Sequence, residues 1–159
     1  MGLANELLTK IQQLGRFDER SETVSVSDGG DTISCRLQAV DQLACSFDEL
    51  ALETDRLAGA TLDTLGRISE ELSRRLTYLL EPVAPIERDA ERCIVQMRSK
   101  PPARDDDGTR YYELIVERGR LSLVRYQRTS GAARQKVAAQ VTLEVLGRLA
   151  ADFAAVAVA

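Results

Sequence analysis

Asp105, Asp106 and Asp107 run consecutively into Gly108, and no other three acids in the chain are adjacent. Oxygen-rich loops bind Ca²⁺ or Mg²⁺ when their carboxylates converge, which the EF-hand achieves with acids at alternate positions and a closing glutamate. Three in a row diverge instead. A solvated tip is expected here, and no metal residue is assigned. Glu70–Glu71 and Asp48–Glu49 are the other carboxylate pairs that could serve acid/base chemistry. Neighbours on a helix point about 100° apart, so Glu70 and Glu71 do not meet one substrate; a solvated helix face is expected.

The stretch 98–136 holds ten basic residues against five acidic ones, net +5, with Tyr111, Tyr112 and Tyr126 interleaved. Arg and Tyr on a sheet can stack bases and neutralise phosphates. Arg110, Arg118, Arg120, Arg125, Tyr126 and Arg128 are the candidate contacts, for a protein partner or for nucleic acid. However, "RYYELIVE" lacks the glycine and the aromatic spacing of an RNA-recognition strand, and Tyr111 and Tyr112 face opposite sides. A polar sheet face with Arg–Glu cross-strand pairs is the primary expectation.

What is missing excludes more. The chain contains no His. Ser-His-Asp and Cys-His nucleophiles, imidazole bases and His-based zinc sites therefore fall together. No phosphate-binding glycine loop is present and no G-x-G-x-x-G follows a strand. Cys35, Cys45 and Cys93 form no CxxC. They lie in strand-patterned runs, as reduced core thiols of a cytosolic protein would. No catalytic residue and no cofactor is assigned.

The chain has 159 residues and is 44% hydrophobic and 29% charged, ordinary for a globular protein. It lacks Trp and is only 4% aromatic, so Leu, Val, Ile and Ala must fill the core. Basic charge comes from 18 Arg and 3 Lys. Residues 1–80 carry net −6 (8 basic, 14 acidic) and residues 81–159 net +2 (13 and 11), so bulk nucleic-acid binding is not expected. Nothing reads as a signal peptide, a membrane span or a myristoylation site, which points to a cytoplasmic protein with no membrane attachment.

Residues 3–15 carry a helical stripe. Residues 22–27, 32–39 and 42–52 read as strands, with "DGGD" (28–31) as a turn. Ile33, Cys35, Leu37 and Ala39 are expected on one face of the second strand, and Leu43, Cys45 and Phe47 on one face of the third. A helix follows from about Ala58 to Leu80. Pro82 and Pro85 mark an extended connector over 81–89. Strands are expected at 92–99, 110–117 and 120–128, with an irregular loop at 100–109 and Gly119 in a hairpin turn. A last helix is expected to carry Val137, Val141, Val145, Leu146, Leu149 and Phe153 on one face. Phe153 and Val156 are expected to dock on the protein's own sheet.

The fold class is therefore α+β: antiparallel sheet with helices on one face, in the order α-βββ-α-βββ-α, as a single compact domain. "TLDTLGRISEEL" (61–72) and "TLEVLGRLAADF" (142–153) share five residues in register. That similarity raises an internal duplication of a βββα unit, with pseudo-repeats 22–80 and 90–157. Gly66 and Gly147 occupy equivalent mid-helix positions, costing about 1 kcal/mol each relative to Ala. Close packing is the expected reason, so Gly→Ala at both sites should destabilise. The element order resembles small acidic secretion chaperones, dimers that hold unfolded client segments; only the order carries the resemblance. The functional expectation is a non-catalytic protein-binding or assembly module whose partner is another protein or a second copy of itself. A nucleic-acid-binding domain and a chaperone-like dimer are the alternatives.

Overall fold

The computed structural model describes residues 2–158. Among them lie three α-helices and ten strands in one antiparallel sheet, an α+β fold. Helix α1 (Leu3–Leu14) precedes strands β1 (Glu22–Asp28), β2 (Asp31–Val40) and β3 (Ala44–Thr54). A short 3₁₀ turn leads into α2 (Leu62–Arg75). Then follow β4 (Val83–Asp89), β5 (Ile94–Ser99), β6 (Ala103–Asp105), β7 (Gly108–Glu117), β8 (Arg120–Arg128), β9 (Gln135–Val137), β10 (Ala139–Thr142) and α3 (Leu143–Val156).

The main sheet runs β1-β2-β3-β8-β7-β5-β4. The two strand groups meet where β3 pairs with β8, Leu50 opposite Leu123 and Glu53 opposite Arg120. Beyond that contact the two strands part. β9 follows β8 and β10 follows β3 into the gap. All three helices form one layer, with α3 touching both α1 and α2. α1 covers β1 and β2, α3 covers β3 and β10, and α2 crosses to cover β4, β5 and β7. One buried cluster joins the helices to the sheet, built on Leu7, Ile11, Phe47, Leu65, Leu72, Leu114, Leu123 and Phe153. None of the described helices is long and apolar enough to cross a membrane.

The two similar stretches fold alike. Thr61 caps α2 by accepting the Thr64 N–H, and Thr142 caps α3 by accepting the Val145 N–H at 3.0 Å. Thr is a favoured N-cap because its hydroxyl satisfies one of the first turn's orphan donors. Leu65, Gly66, Ile68, Ser69 and Leu72 are buried on α2, and Leu146, Gly147, Leu149, Ala150 and Phe153 occupy the same places on α3.

Several boundaries differ from expectation, each for a local reason. The connector 81–89 contains a strand: β4 is the sheet's edge, and Pro85 sits at its register shift, where a missing N–H breaks no ladder. The loop at 100–109 contains β6, which turns back onto β7 across Asp105-Asp106-Asp107-Gly108. Val137 and Val141 belong to β9 and β10, and the last helix starts only after the Thr142 cap. α2 ends at Arg75, though Leu76 and Leu79 stay buried beyond it. Leu43 precedes β3 and is 74% exposed, because Asp41 Oδ1 accepts the Leu43 and Ala44 N–H groups and turns the chain there. Bulges skip Gln38 and Asp48, so that Val40 rather than Ala39 is buried; the two skipped side chains hydrogen-bond each other. Gly29 and Gly119 hold φ of 60° and 75°, as the two tight turns require. Phe153, Val156 and Ala157 are buried against the core, whereas Val158 is exposed; Ala159 lies outside the described residues.

Candidate functional site

The side of the sheet without helices carries a polar concavity of about 450 Å³ over β3, β8, β7 and β5. Strand alternation builds it. Tyr111, Glu113, Ile115 and Glu117 point outward from β7, and Arg120, Ser122, Val124 and Tyr126 from β8. The ladder sets Tyr111 opposite Tyr126, Glu117 opposite Arg120, and Arg98 of β5 opposite Glu113. Tyr111, Glu113, Ser122 and Val124 are buried there although no helix covers them.

Glu113 is the centre of this arrangement and is only 3% exposed. Its Oε1 accepts from Gln96 Nε2, from Arg98 Nη2 at 3.3 Å and from Arg134 Nη1 at 3.0 Å. Three donors are what a buried carboxylate needs to remain tolerable away from water. The Arg134 guanidinium also lies 3.9 Å from the Tyr126 ring centroid, and that ring packs 5.8 Å from Tyr111 at a tilt of 32°. Arg98 covers the far side of Tyr111 at 4.7 Å. The Tyr111 hydroxyl is buried beside the Arg134 guanidinium, outside good hydrogen-bond geometry. Burial raises the Tyr126 phenol above its ordinary pKa against the opposing pull of Arg134, with Glu113 adding to the rise. At the concavity's other end Arg120 sits 2.9 Å from Glu49 and 3.9 Å from Glu53.

The sequence-derived candidates do not share one surface. Arg120 and Tyr126 line the concavity. Arg125 points to the helix side, where it binds both oxygens of Glu81 at 3.3 and 3.1 Å and stacks over Tyr112 at 4.4 Å. Desolvation raises the Tyr112 phenol as well. Arg118 is in the β7–β8 turn and donates to the Ala60 carbonyl at 2.9 Å. Arg110 lies 3.9 Å from Asp105, and Arg128 is exposed beside the β6–β7 turn. Asp105, Asp106 and Asp107 form that turn, with Asp105 Oδ1 accepting the Asp107 N–H at 2.8 Å. Among the described residues no three His, Cys, Asp or Glu side chains gather as metal ligands would.

Gly66 and Gly147 have side chains as their nearest neighbours. A Cβ on Gly66 would meet the Arg88 guanidinium of β4, and one on Gly147 would meet Leu8 of α1 at 2.8 Å. The packing around the two positions is therefore different, and neither close neighbour is the other helix.

Sequence reasoning missed Glu113 and Arg134. Glu113 alternates with Tyr111 on β7, a signal that was available. Arg134 was hidden, because "TSGAARQ" reads as the opening of a helix and is instead an exposed connector between β8 and β9. The chain matches no protein-family model, no curated protein and no solved structure.

Proposed function

We propose that this chain is a non-catalytic binding module that engages a protein partner through the helix-free face of its sheet. The observation that carries this reading is the concavity over β3, β8, β7 and β5, where guanidinium, carboxylate and phenol groups surround Ile115, Ser122 and Val124. Charge of both signs around a partly apolar floor suits a polypeptide, which brings backbone dipoles and mixed side chains. The resemblance between the two capped helices also supports descent of both halves from one βββα unit.

The test is co-purification from cells of the source organism. Ile115→Arg plants a charge on the concavity floor, and Arg67→Glu alters the exposed back of α2 as a control. A partner retained by the wild type and by Arg67→Glu, and lost with Ile115→Arg, is the expected result. Retention that ignores Ile115→Arg, or absence of any retained protein, would overturn the reading.

A further inference from the structure

We propose that Glu113, Tyr111 and Tyr126 form a guanidinium-binding cage that the chain's own Arg134 occupies, and that an arginine side chain of a partner segment enters it by displacing Arg134. This rests on the helix-free face being the binding surface and adds the chemistry that the surface takes.

The cage has the three parts a planar cation requires. Glu113 supplies buried negative charge: its Oε1 takes all three donors, and no hydrogen bond to its Oε2 forms among the described residues. Tyr126 supplies a π-face 3.9 Å from the guanidinium carbon, backed by Tyr111. The buried Tyr111 hydroxyl lies beside the same guanidinium. Guanidinium matches such a site because it is flat, binds carboxylates through a fork of donors and stacks on aromatic faces.

Of the two arginines on Glu113, Arg98 is fixed in the β5 ladder opposite Glu113 itself. Arg134 arrives from residues 129–134, which are all exposed and contain no helix or strand. It is therefore the exchangeable cation. A tethered side chain presents an effective concentration on the order of millimolar to its own site. Competing ligand must exceed that in the wild type. If Arg134 fills the cage about nine-tenths of the time, removing it raises apparent affinity about tenfold.

The probe is Nα-acetyl-arginine amide, with the lysine analogue for comparison, titrated into the folded full chain while tyrosine ring resonances are followed. Arg134→Ala should bind the arginine probe about tenfold more tightly than the wild type and prefer it to lysine. Adding Glu113→Gln should abolish the gain. Should that double variant fail to fold, Arg134→Ala with Tyr126→Leu serves the same purpose. Equal binding by wild type and Arg134→Ala, or binding that survives both second substitutions, would overturn the cage. A partner held on this face by a chain whose Arg134→Ala form ignores arginine would leave the binding surface standing and remove only the cage. Probe binding without any partner on this face would do the reverse.

Discussion

Gly66→Ala and Gly147→Ala should change stability in opposite directions. Each gains about 1 kcal/mol from helix propensity and a less flexible unfolded chain. The costs differ because the neighbours differ. At Gly66 the new methyl group would lie 2.6 Å from Arg88 Cζ. Arg88 is 45% exposed, and its contacts to Asp63 and Glu70 are loose, at 3.9 and 4.0 Å. Swinging that side chain into solvent sacrifices exposed pairs of small value, so a net gain of about 0.5–1 kcal/mol is expected. At Gly147 the methyl would lie 2.8 Å from Leu8 Cδ1 and 3.5 Å from its Cγ. Leu8 is part of the α1 surface packed against the core, and pushing it away is overpacking, which costs about 1–3 kcal/mol. A net loss of about 1 kcal/mol is expected there. Urea melts with unchanged slope decide it, and 1 kcal/mol corresponds to about 2–4 °C in a chain of this length. Leu8→Ala should remove the penalty at Gly147, so the double variant should be non-additive. A loss at Gly66, or a gain at Gly147 that Leu8→Ala leaves untouched, would refute the reasoning.

Arg125→Ser should cost about 2–4 kcal/mol, because it strands the Glu81 carboxylate, which is only 12% exposed. Arg120→Ser should cost about 1 kcal/mol or less, since its side chain is 32% exposed and Glu49 can rehydrate; equal losses in denaturant melts would contradict this. Cys35, Cys45 and Cys93 are free and buried, so a thiol reagent should label them only after denaturation. Burial raises the Cys35 thiol and pushes Cys45 from near 9 up to about 12. The Cys45 contribution to stability is complete below about pH 9 and declines as pH rises toward 12, by at most about 1.4 kcal/mol per pH unit. Replacing Cys45 by Ala should flatten that alkaline decline, and an unchanged slope would count against the assignment.

The fold was legible wherever local pattern and tertiary context agree. The alternation in β2, the glycine turns and the Leu-rich stripe of α2 all lie in that class. Errors arose where one residue type serves two roles. Pro85 carries a linker signal because proline breaks strands, yet an edge strand with a bulge accommodates it. Val137 and Val141 fit a helical period, yet their β-branched side chains sit in short strands that fill the gap between β3 and β8. Strand alternation carried Arg120 and Tyr126 to the outer face. It could not show that Arg125, one step away on β8, would find Glu81 from a distant turn, nor that Arg134 would fold back over Tyr126.

Arginine is used on both sides of the sheet to cover tyrosine rings. Each of the four tyrosines lies under an arginine: Tyr78 under Arg148, Tyr111 under Arg98, Tyr112 under Arg125 and Tyr126 under Arg134. Such pairs occur roughly once per 70–80 residues in proteins at large. Two of the four, Arg98 on Tyr111 and Arg134 on Tyr126, lie on the helix-free face, where the architecture favours such pairing. A sheet this wide with a single helix layer buries the outward side chains of its central strands beneath their neighbours and the connector after β8. Polar groups there cannot rely on bulk water and must pair sideways. Arg does this better than Lys, since one guanidinium can stack on a ring and donate to a carboxylate together. Lateral pairing therefore explains Arg98, Arg120 and most of Glu113's contacts without any ligand. It does not explain why one of the donors to Glu113 comes from an exposed connector when a residue on the sheet could have served. That feature separates a satisfied sheet surface from one whose last contact is exchangeable.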